Sequence, residues 1–580
     1  MSLRRCSVIG LSLAATAIGC SENSVNVDSA ELPSKPALAA QACRDDSKPL
    51  AISCENLAGS LQYPNTTFTS SVAVAAGELK QAGQDILAHC LLTGKMDERV
   101  SPIDGQTYSI GFEMRLPLNW NQRFFYQANG GLDGNVVPAT GAVSGGGPLT
   151  GALMQGFAVI SSDAGHNAAQ NPGFGLDPEA RLDYGYKAVG KLTPMAKSVL
   201  RSAYGRGPHH SYIGGCSNGG RHTMVAASRY PNDYDGYLVG APGFNLPKAA
   251  IASIAGGQQY ASISDGSAIM AGPFAGLPDL STGFSTIDRQ LVSRKVLERC
   301  DVLDGLADGL VQATIACQSV FNLDRDVPTC SGIPDGTCLS QVQKIAIANV
   351  FAGPKDSLQK PIYNQFPFDP GLAASGTSFW EFLSPLLLDS MAVGFTFQTP
   401  PVNPMTFNPI AFALTSDVNL LASAIQATDA TYTESAQSFM VPPTLTRLDG
   451  MRRNGGRMIV YHGASDPIFS PIDTADWYSN LNHGSKEAVR LYMVPGMNHC
   501  GDGPATDQFD LLTPLVRWVE QGRPPADVEA KARGAENPGG PNFEVPLDWS
   551  PNRTRPLCPY PTIAVYRSGD VEQASSFVCR

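Results

Sequence analysis

The sequence is poor in charge. Only 16% of its 580 residues are Asp, Glu, Lys or Arg, and 41 basic residues face 52 acidic ones, a formal net charge of −11. Without a basic excess a chain has nothing with which to displace counterions from phosphates, so a nucleic-acid binder of the electrostatic kind is excluded. With 43% hydrophobic residues, it also lacks the low hydrophobicity of a disordered chain. Its 58 Gly and 44 Pro follow no period, which excludes a collagen-like rod and points to a loop-rich globular protein. No two of the 13 Cys stand as Cys-x-x-Cys, so the commonest zinc pattern is missing. Past the N-terminus no stretch runs long enough without charge or Pro to span a bilayer. There is no internal repeat. At roughly 150 residues per domain the length corresponds to about three to four domains, or to one large unit with a long insertion.

The N-terminus has the pattern of an export signal over residues 1–20. Arg4 and Arg5 precede a short apolar run, Val8 to Gly19, which ends in Ala17-Ile18-Gly19-Cys20. Small residues before Cys20 suit a lipoprotein site, with Cys20 carrying the lipid and tethering the chain to a membrane. Ordinary cleavage near Ala37-Leu38-Ala39-Ala40 is the alternative. Residues 21–50, rich in Ser, Asn, Ala and Pro, are expected to be a tether. The chain is thus expected in the periplasm, on the outer membrane as a lipoprotein, or secreted. Eleven cysteines then remain, and outside the cytoplasm they should pair. Cys300/Cys317, Cys330/Cys338 and Cys558/Cys579 are natural local bridges.

Along residues 51–243 short apolar runs alternate with helical stretches. Tyr108–Leu116 alternates like an antiparallel strand; Arg123–Gln127, Ala158–Ser161 and Ser211–Gly214 are short buried-type strands, and Ala180–Tyr204 predicts one long helix. Residues 244–443, rich in Gly, Pro, Ser and Asp, show no strand rhythm. The alternation resumes over 444–580, with strands at Arg457–Tyr461 and Val489–Val494 and a helix at Phe509–Glu520. This predicts one α/β domain with a mostly parallel sheet, helices on both faces, and an insertion of about two hundred residues.

Gly215-Cys216-Ser217-Asn218-Gly219 follows a predicted strand and precedes a predicted helix, the context of a nucleophile elbow. Asp466 and His499 each come just after a later strand, in the order nucleophile, acid, base. A serine hydroxyl needs a base to take its proton, and the imidazole needs an acid to fix its tautomer. Cys216 precedes Ser217 and Cys500 follows His499, so if the two side chains meet, the cysteines are close enough to bridge. Among the other His, His222 falls in the helix after the elbow, and His462, near Asp466, is a candidate to line the pocket. Asp163 and His166 read as a pair that braces a loop. Asp301, Asp304 and Asp308, with Gly305 and Gly309 between them, are three carboxylates at short spacing that suit a hard cation, though not in the spacing of an EF-hand. The carbonyls of Leu306 and Leu310 are available to complete such a shell.

These motifs resemble the tannase/feruloyl esterase family. The resemblance runs over almost everything after Cys54 and includes Trp120-Asn121 with Arg123–Phe125, Gly173–Asp177 with Ala180–Asp183, Tyr234–Gly236 with Gly240–Gly243, Tyr461–Gly463, Asp473–Asp476, Val494–Cys500 and Arg555–Pro561. It implies an α/β-hydrolase fold with a large inserted lid domain and a structural Ca2+. It implies Ser217, Asp466 and His499 as the triad, with the backbone N–H groups of Gly131 and Asn218 as the oxyanion hole. Asp301, Asp304 and Asp308, with the Leu306 and Leu310 carbonyls, would be the calcium ligands. Five disulfides are implied: Cys54–Cys90, Cys216–Cys500, Cys300–Cys317, Cys330–Cys338 and Cys558–Cys579, leaving Cys43 unpaired. The sequence departs from the family's terephthalate-monoester branch in two places. Asn218 stands where that branch has Glu, and its lid arginine falls at or near Met391, which cannot replace a bidentate guanidinium. Trp380 and Phe395, with Phe469, remain candidates to sandwich an aromatic ring. The expected substrate is a small aromatic ester of feruloyl, galloyl or terephthaloyl type. Transfer of the acyl group to another alcohol, or an aromatic-ligand binder without catalysis, are the alternatives.

Overall fold

The computed structural model describes residues 47–332 and 335–580. The expected signal, Cys20, Cys43 and most of the expected tether lie outside the described residues. Lys48 and Pro49, at the end of the expected tether, pair with Trp120 and Asn119.

Nine strands form one sheet. In chain order they are β1 (Thr66–Val74), β2 (His89–Val100), β3 (Thr107–Pro117), β4 (Arg123–Gln127), β5 (Ala158–Ser162), β6 (His210–Cys216), β7 (Gly236–Gly240), β8 (Arg457–Gly463) and β9 (Val489–Val494). Across the sheet the order is β9-β8-β7-β6-β4-β5-β3-β2-β1. From β5 to β9 all pairings are parallel, and β1, β2 and β3 add an antiparallel edge. The central strands are apolar runs buried on both faces. Tyr237, Leu238 and Val239 of β7 and Ile459 and Val460 of β8 have no exposed surface, as expected for parallel strands covered by helices. Burying each such side chain contributes about 1.5–3 kcal/mol.

The helices follow from the same pattern. α1 (Ala188–Tyr204) buries Leu192, Met195, Ala196, Val199, Leu200 and Ala203, a stripe at three- and four-residue spacing, and stops at Gly205 with φ +73°. The helix predicted from Ala180 is not continuous: a short helix over Pro178–Leu182 passes through a wide π-type turn at Asp183–Lys187 before α1 begins. α2 (Asn218–Arg229) follows β6 directly. Between β7 and β8 the described residues add no strand to this sheet and instead build helices, chief among them α3 (Leu246–Ile263), α4 (Thr286–Cys300) and α5 (Gln341–Ala352). After β9, α6 (Leu512–Gln521) packs Leu512, Leu515 and Trp518 inward.

Among the described residues five disulfides form: Cys54–Cys90, Cys216–Cys500, Cys300–Cys317, Cys330–Cys338 and Cys558–Cys579. Two staple the insertion and one crosses 284 residues of sequence to join the end of β6 to the loop after β9. Bonds of this kind persist in oxidising compartments. Among the described residues no helix is long and apolar enough to cross a membrane.

Candidate functional site

The carboxyl ends of β6, β8 and β9 converge on one point. At the end of β6 the chain turns so sharply into α2 that Ser217 takes φ +66°, ψ −128°, a conformation that a non-Gly residue holds only when its surroundings enforce it. The flanking glycines are what permit it. A Cβ on Gly215 would stand 2.2 Å from the Ala128 carbonyl oxygen, and one on Gly219 would stand 2.3 Å from the same atom. The turn presents the Ser217 hydroxyl above the sheet, beside the first turn of α2, whose N–H groups have no helical partner.

The Ser217 hydroxyl lies 2.8 Å from His499 Nε2, and His499 Nδ1 lies 2.7 Å from Asp466 Oδ2. The carboxylate can only accept here, so Nδ1 carries the proton and Nε2 is free to accept from the serine. Asp466 is fully enclosed. Its Oδ1 accepts the N–H groups of Ile468 and Phe469 at 3.0 and 2.9 Å. Burial alone would raise its pKa; the His499 charge and the hydrogen bonds from His462 and His499 outweigh this and hold the carboxyl well below the usual range. The Cys216–Cys500 bond ties the residue before Ser217 to the residue after His499, with Cα atoms 6.1 Å apart.

His462 belongs to this assembly in a different way from that expected. It has no exposed surface and does not line the cavity. Its Nε2 lies 3.0 Å from the Phe469 carbonyl and 3.3 Å from Asp466 Oδ2, and its Nδ1 lies 2.9 Å from the Thr474 hydroxyl. Since the Phe469 carbonyl only accepts, Nε2 carries the proton, and His462 sits behind the acid as a further donor to it.

The Asn218 side chain points away from the serine. Its Nδ2 donates to Asp133 Oδ2 at 2.8 Å, and its Oδ1 accepts from Arg221 Nε at 2.6 Å. His222 Nε2 donates to the same Asp133 oxygen at 2.9 Å; burial and the neighbouring Arg221 charge push His222 well below its ordinary pKa, so it is neutral. This network fixes the start of α2 from behind and leaves Asn218 only its backbone to offer the site. Gly131, in the loop after β4 with φ +63°, reaches the same space as Ser217 and Asn218. Asp163 braces its loop by accepting from the N–H groups of Gly111 and Gly165 at 2.9 and 3.0 Å, and His166 stacks on Phe174.

A narrow, mostly apolar cavity of about 40 Å³ opens beside Ser217. The core side contributes Leu132, Tyr184, Ile468 and Phe469; the insertion contributes Leu246, Trp380, Leu388, Asp389, Ala392 and Phe397. Trp380 and Phe469 also meet the His499 ring edge-on, with centroids 5.1 and 5.2 Å away. Two expected pocket residues lie elsewhere. Phe395 is buried against Phe407, and its carbonyl accepts from Arg181 at 2.6 Å. Met391 does not line the cavity. The cause is local: residues Phe379–Leu383, Pro385–Asp389 and Ala392–Phe397 form three successive π-type turns, and their wider register aims Leu388, Asp389, Ala392 and Phe397 at the cavity instead. Trp380 and His499 also line a second, more polar hollow of about 300 Å³ that includes Asn498, Asn542 and Glu544.

The acidic loop of the insertion is compact. Asp301 accepts from the N–H groups of Asp308 and Gly309 at 3.2 and 2.9 Å, and Asp308 meets the Arg555 guanidinium. Among the described residues no three acidic, His or Cys side chains form a metal cage by themselves. Asp304 is nevertheless incomplete. Its Oδ2 is buried without a partner, and burial with the nearby Asp308 and Asp301 charges pushes its carboxyl up to about 7. The donor set is all oxygen, and the orphaned atom fits a hard cation if the Leu306 and Leu310 carbonyls join the shell.

A parallel sheet with helices on both faces, a serine at a strand-to-helix elbow and a large insertion after β7 defines an α/β-hydrolase. The model of the tannase and feruloyl esterase family matches residues 90–580. The chain belongs to that family and is a carboxylic ester hydrolase acting on esters of aromatic acids. It is 38% identical over 560 residues, covering 90% of each chain, to mono(2-hydroxyethyl) terephthalate hydrolase of Piscinibacter sakaiensis. It is 26% identical over 546 residues to feruloyl esterase C of Talaromyces stipitatus, covering 88% of this chain and 91% of that one. Among solved structures, feruloyl esterase B of Aspergillus oryzae shares the fold with a TM-score of 0.70 at 22% identity, over 91% of this chain and 99% of that one.

Proposed function

We propose that this chain is an exported serine esterase that hydrolyses esters of feruloyl, galloyl or terephthaloyl type through Ser217, His499 and Asp466. The observation that carries the reading is the unbroken hydrogen-bonded line from Asp466 through His499 to Ser217, ending at the mouth of an apolar, aromatic cavity. Ser217 Oγ attacks the ester carbonyl while His499 Nε2 takes its proton, and Asp466 stabilises the imidazolium. The N–H groups of Gly131 and Asn218 receive the oxyanion; one such donor is typically worth about two to three orders of magnitude in rate. Collapse expels the alcohol, protonated by His499, toward the polar hollow and leaves the acyl group on Ser217. Water then gives its proton to His499 and attacks the acyl-enzyme; as the acyl–Ser217 bond breaks, His499 returns that proton to Ser217 and the acid departs. The aromatic ring lies between Trp380 and Phe469. Ser217→Ala should abolish hydrolysis of methyl ferulate and p-nitrophenyl acetate and labelling by a fluorophosphonate. Undiminished turnover would overturn the reading.

Export is supported by the five disulfides and by the signal-like start, with lipidation at Cys20 as its expected anchor. For the insertion loop we propose a structural Ca2+, held by the side chains of Asp301, Asp304 and Asp308 and the carbonyls of Leu306 and Leu310. The ion supplies neutralising charge to the loop and takes no part in the ester chemistry. Chelation should lower the melting temperature; no shift, with no metal on elemental analysis, would refute the site.

A further inference from the structure

The cavity wall carries one carboxyl group that the ester chemistry leaves unused. Asp389 closes the second π-type turn of the insertion and lines the cavity that Ser217 also lines. It is buried, and its hydrogen bonding is lopsided. The Ser253 hydroxyl of α3 at 2.7 Å and the Ser384 hydroxyl at 2.6 Å both donate to the same oxygen, Oδ2. Among the described residues no protein donor reaches Oδ1. No Lys or Arg lines the cavity, and apart from Asp389 its insertion wall is apolar.

A carboxyl group that lines an apolar cavity with both its protein donors on one oxygen keeps acceptor capacity for a donor that a ligand brings. An aromatic acyl group that carries a hydroxyl on its ring brings such a donor. One that carries a ring carboxylate brings a second anion beside Asp389, in a poorly screened space with no cation to offset it. Resting on the esterase reading above, we propose that Asp389 is a specificity-determining residue of the acyl cavity. It selects aromatic acyl groups that bear a hydrogen-bond donor, phenolic acids above all, and turns away those that bear a second carboxylate, such as terephthalate monoesters. Burial pushes the Asp389 carboxyl up to about 6 against the two serine hydrogen bonds, so near neutral pH it is largely the acceptor this role requires.

The test compares kcat/KM for methyl 4-hydroxycinnamate, methyl cinnamate and monomethyl terephthalate. The unaltered protein should prefer the hydroxylated ester over methyl cinnamate by about tenfold or more, and should disfavour the anionic ester by a similar or larger factor. Asp389→Asn keeps the size and can still bond the serines. It should raise monomethyl terephthalate relative to methyl cinnamate by about tenfold. No preference in the unaltered protein, or an unmoved ratio in a variant that still labels with a fluorophosphonate, overturns the role of Asp389. If Asp389→Asn does not fold, the three-ester comparison on the unaltered protein decides alone. Should Ser217→Ala hydrolyse all three esters undiminished, the esterase reading itself fails. Ser217-dependent hydrolysis with an unmoved ratio removes only the inference about Asp389.

Discussion

Asp466 and Asp389 are both enclosed carboxyl groups at the same site, one on a loop after β8 and the other on the insertion, yet their surroundings push them in opposite directions. Asp466 meets the imidazole N–H groups of His499 and His462 and two backbone N–H groups, and is held well below the usual carboxylate range. Asp389 receives only two hydroxyls, both on one oxygen, and is pushed up to about 6. A carboxylate saturated with donors is a fixed charge that can orient a partner. A half-satisfied one remains open to a ligand. The strand-end loops thus hold the reacting groups in one arrangement, braced from behind by His462 and by the Asp133–Asn218–Arg221 network, while the insertion supplies a wall that chooses the acyl group.

The largest test of this division is Asp466→Asn. The amide cannot fix the same His499 tautomer, and kcat should fall about 10⁴-fold while selectivity among acyl groups stays as it was. The pH dependence follows from the same contrast. For Asp466 the native pKa lies below the unfolded one, so its contribution to stability is complete above the unfolded value of about 4 and is lost only as pH falls further. A rate limb above pH 4 therefore does not belong to it. A selectivity change as large as the loss of rate would contradict the separation of roles.

Asp389 carries the opposite sign. Its native pKa lies above the unfolded one, so the native state holds more protons between about pH 4 and 6. Stability therefore falls as pH rises through that window, by on the order of 2–3 kcal/mol at most. Asp389→Asn removes this dependence. Denaturant unfolding at pH 4 and at pH 8 should show the variant gaining on the unaltered protein as pH rises. A difference that does not change with pH would place the carboxyl in a wetter setting than the cavity wall.

How far each region could be read from sequence follows from its physics. The strand-end loops are punctuated by chemistry that survives in one dimension: Gly215 and Gly219, where any side chain would strike Ala128, the order Ser217, Asp466, His499, and cysteines adjacent to two of them. The central strands Arg123–Gln127 and Arg457–Tyr461 stand out as continuous apolar runs. β7 does not stand out, because Tyr237-Leu238-Val239 is too short a run between glycines. The cavity wall is legible only in part: Trp380 and Phe469 stand out as aromatics and do line it, but the other insertion residues lie on successive π-type turns, where a 3.6-residue period no longer tells which side chain faces inward, so the sequence suggests Met391 and Phe395 and hides Leu388, Asp389, Ala392 and Phe397. His462 was placed near Asp466 by sequence distance, but only the fold reveals that it stands behind the acid and out of the cavity.

Trp380 is where the two regions touch, and it gives the smallest but most discriminating expectation. It belongs to the insertion, yet its ring meets His499 edge-on, as that of Phe469 does. An aromatic pair of this geometry is worth about 0.5–1.5 kcal/mol beyond the area it buries. Trp380→Leu keeps an apolar wall but removes the ring edge that steadies the imidazole. We expect kcat to fall by roughly three- to tenfold, with little change in the ratio of hydroxylated to carboxylated esters, because that ratio is set at Asp389. A variant that kept its kcat but lost its selectivity would reverse the assignment. The insertion would then act at Trp380 by shaping the substrate alone, and the orientation of His499 would rest entirely on the strand-end loops.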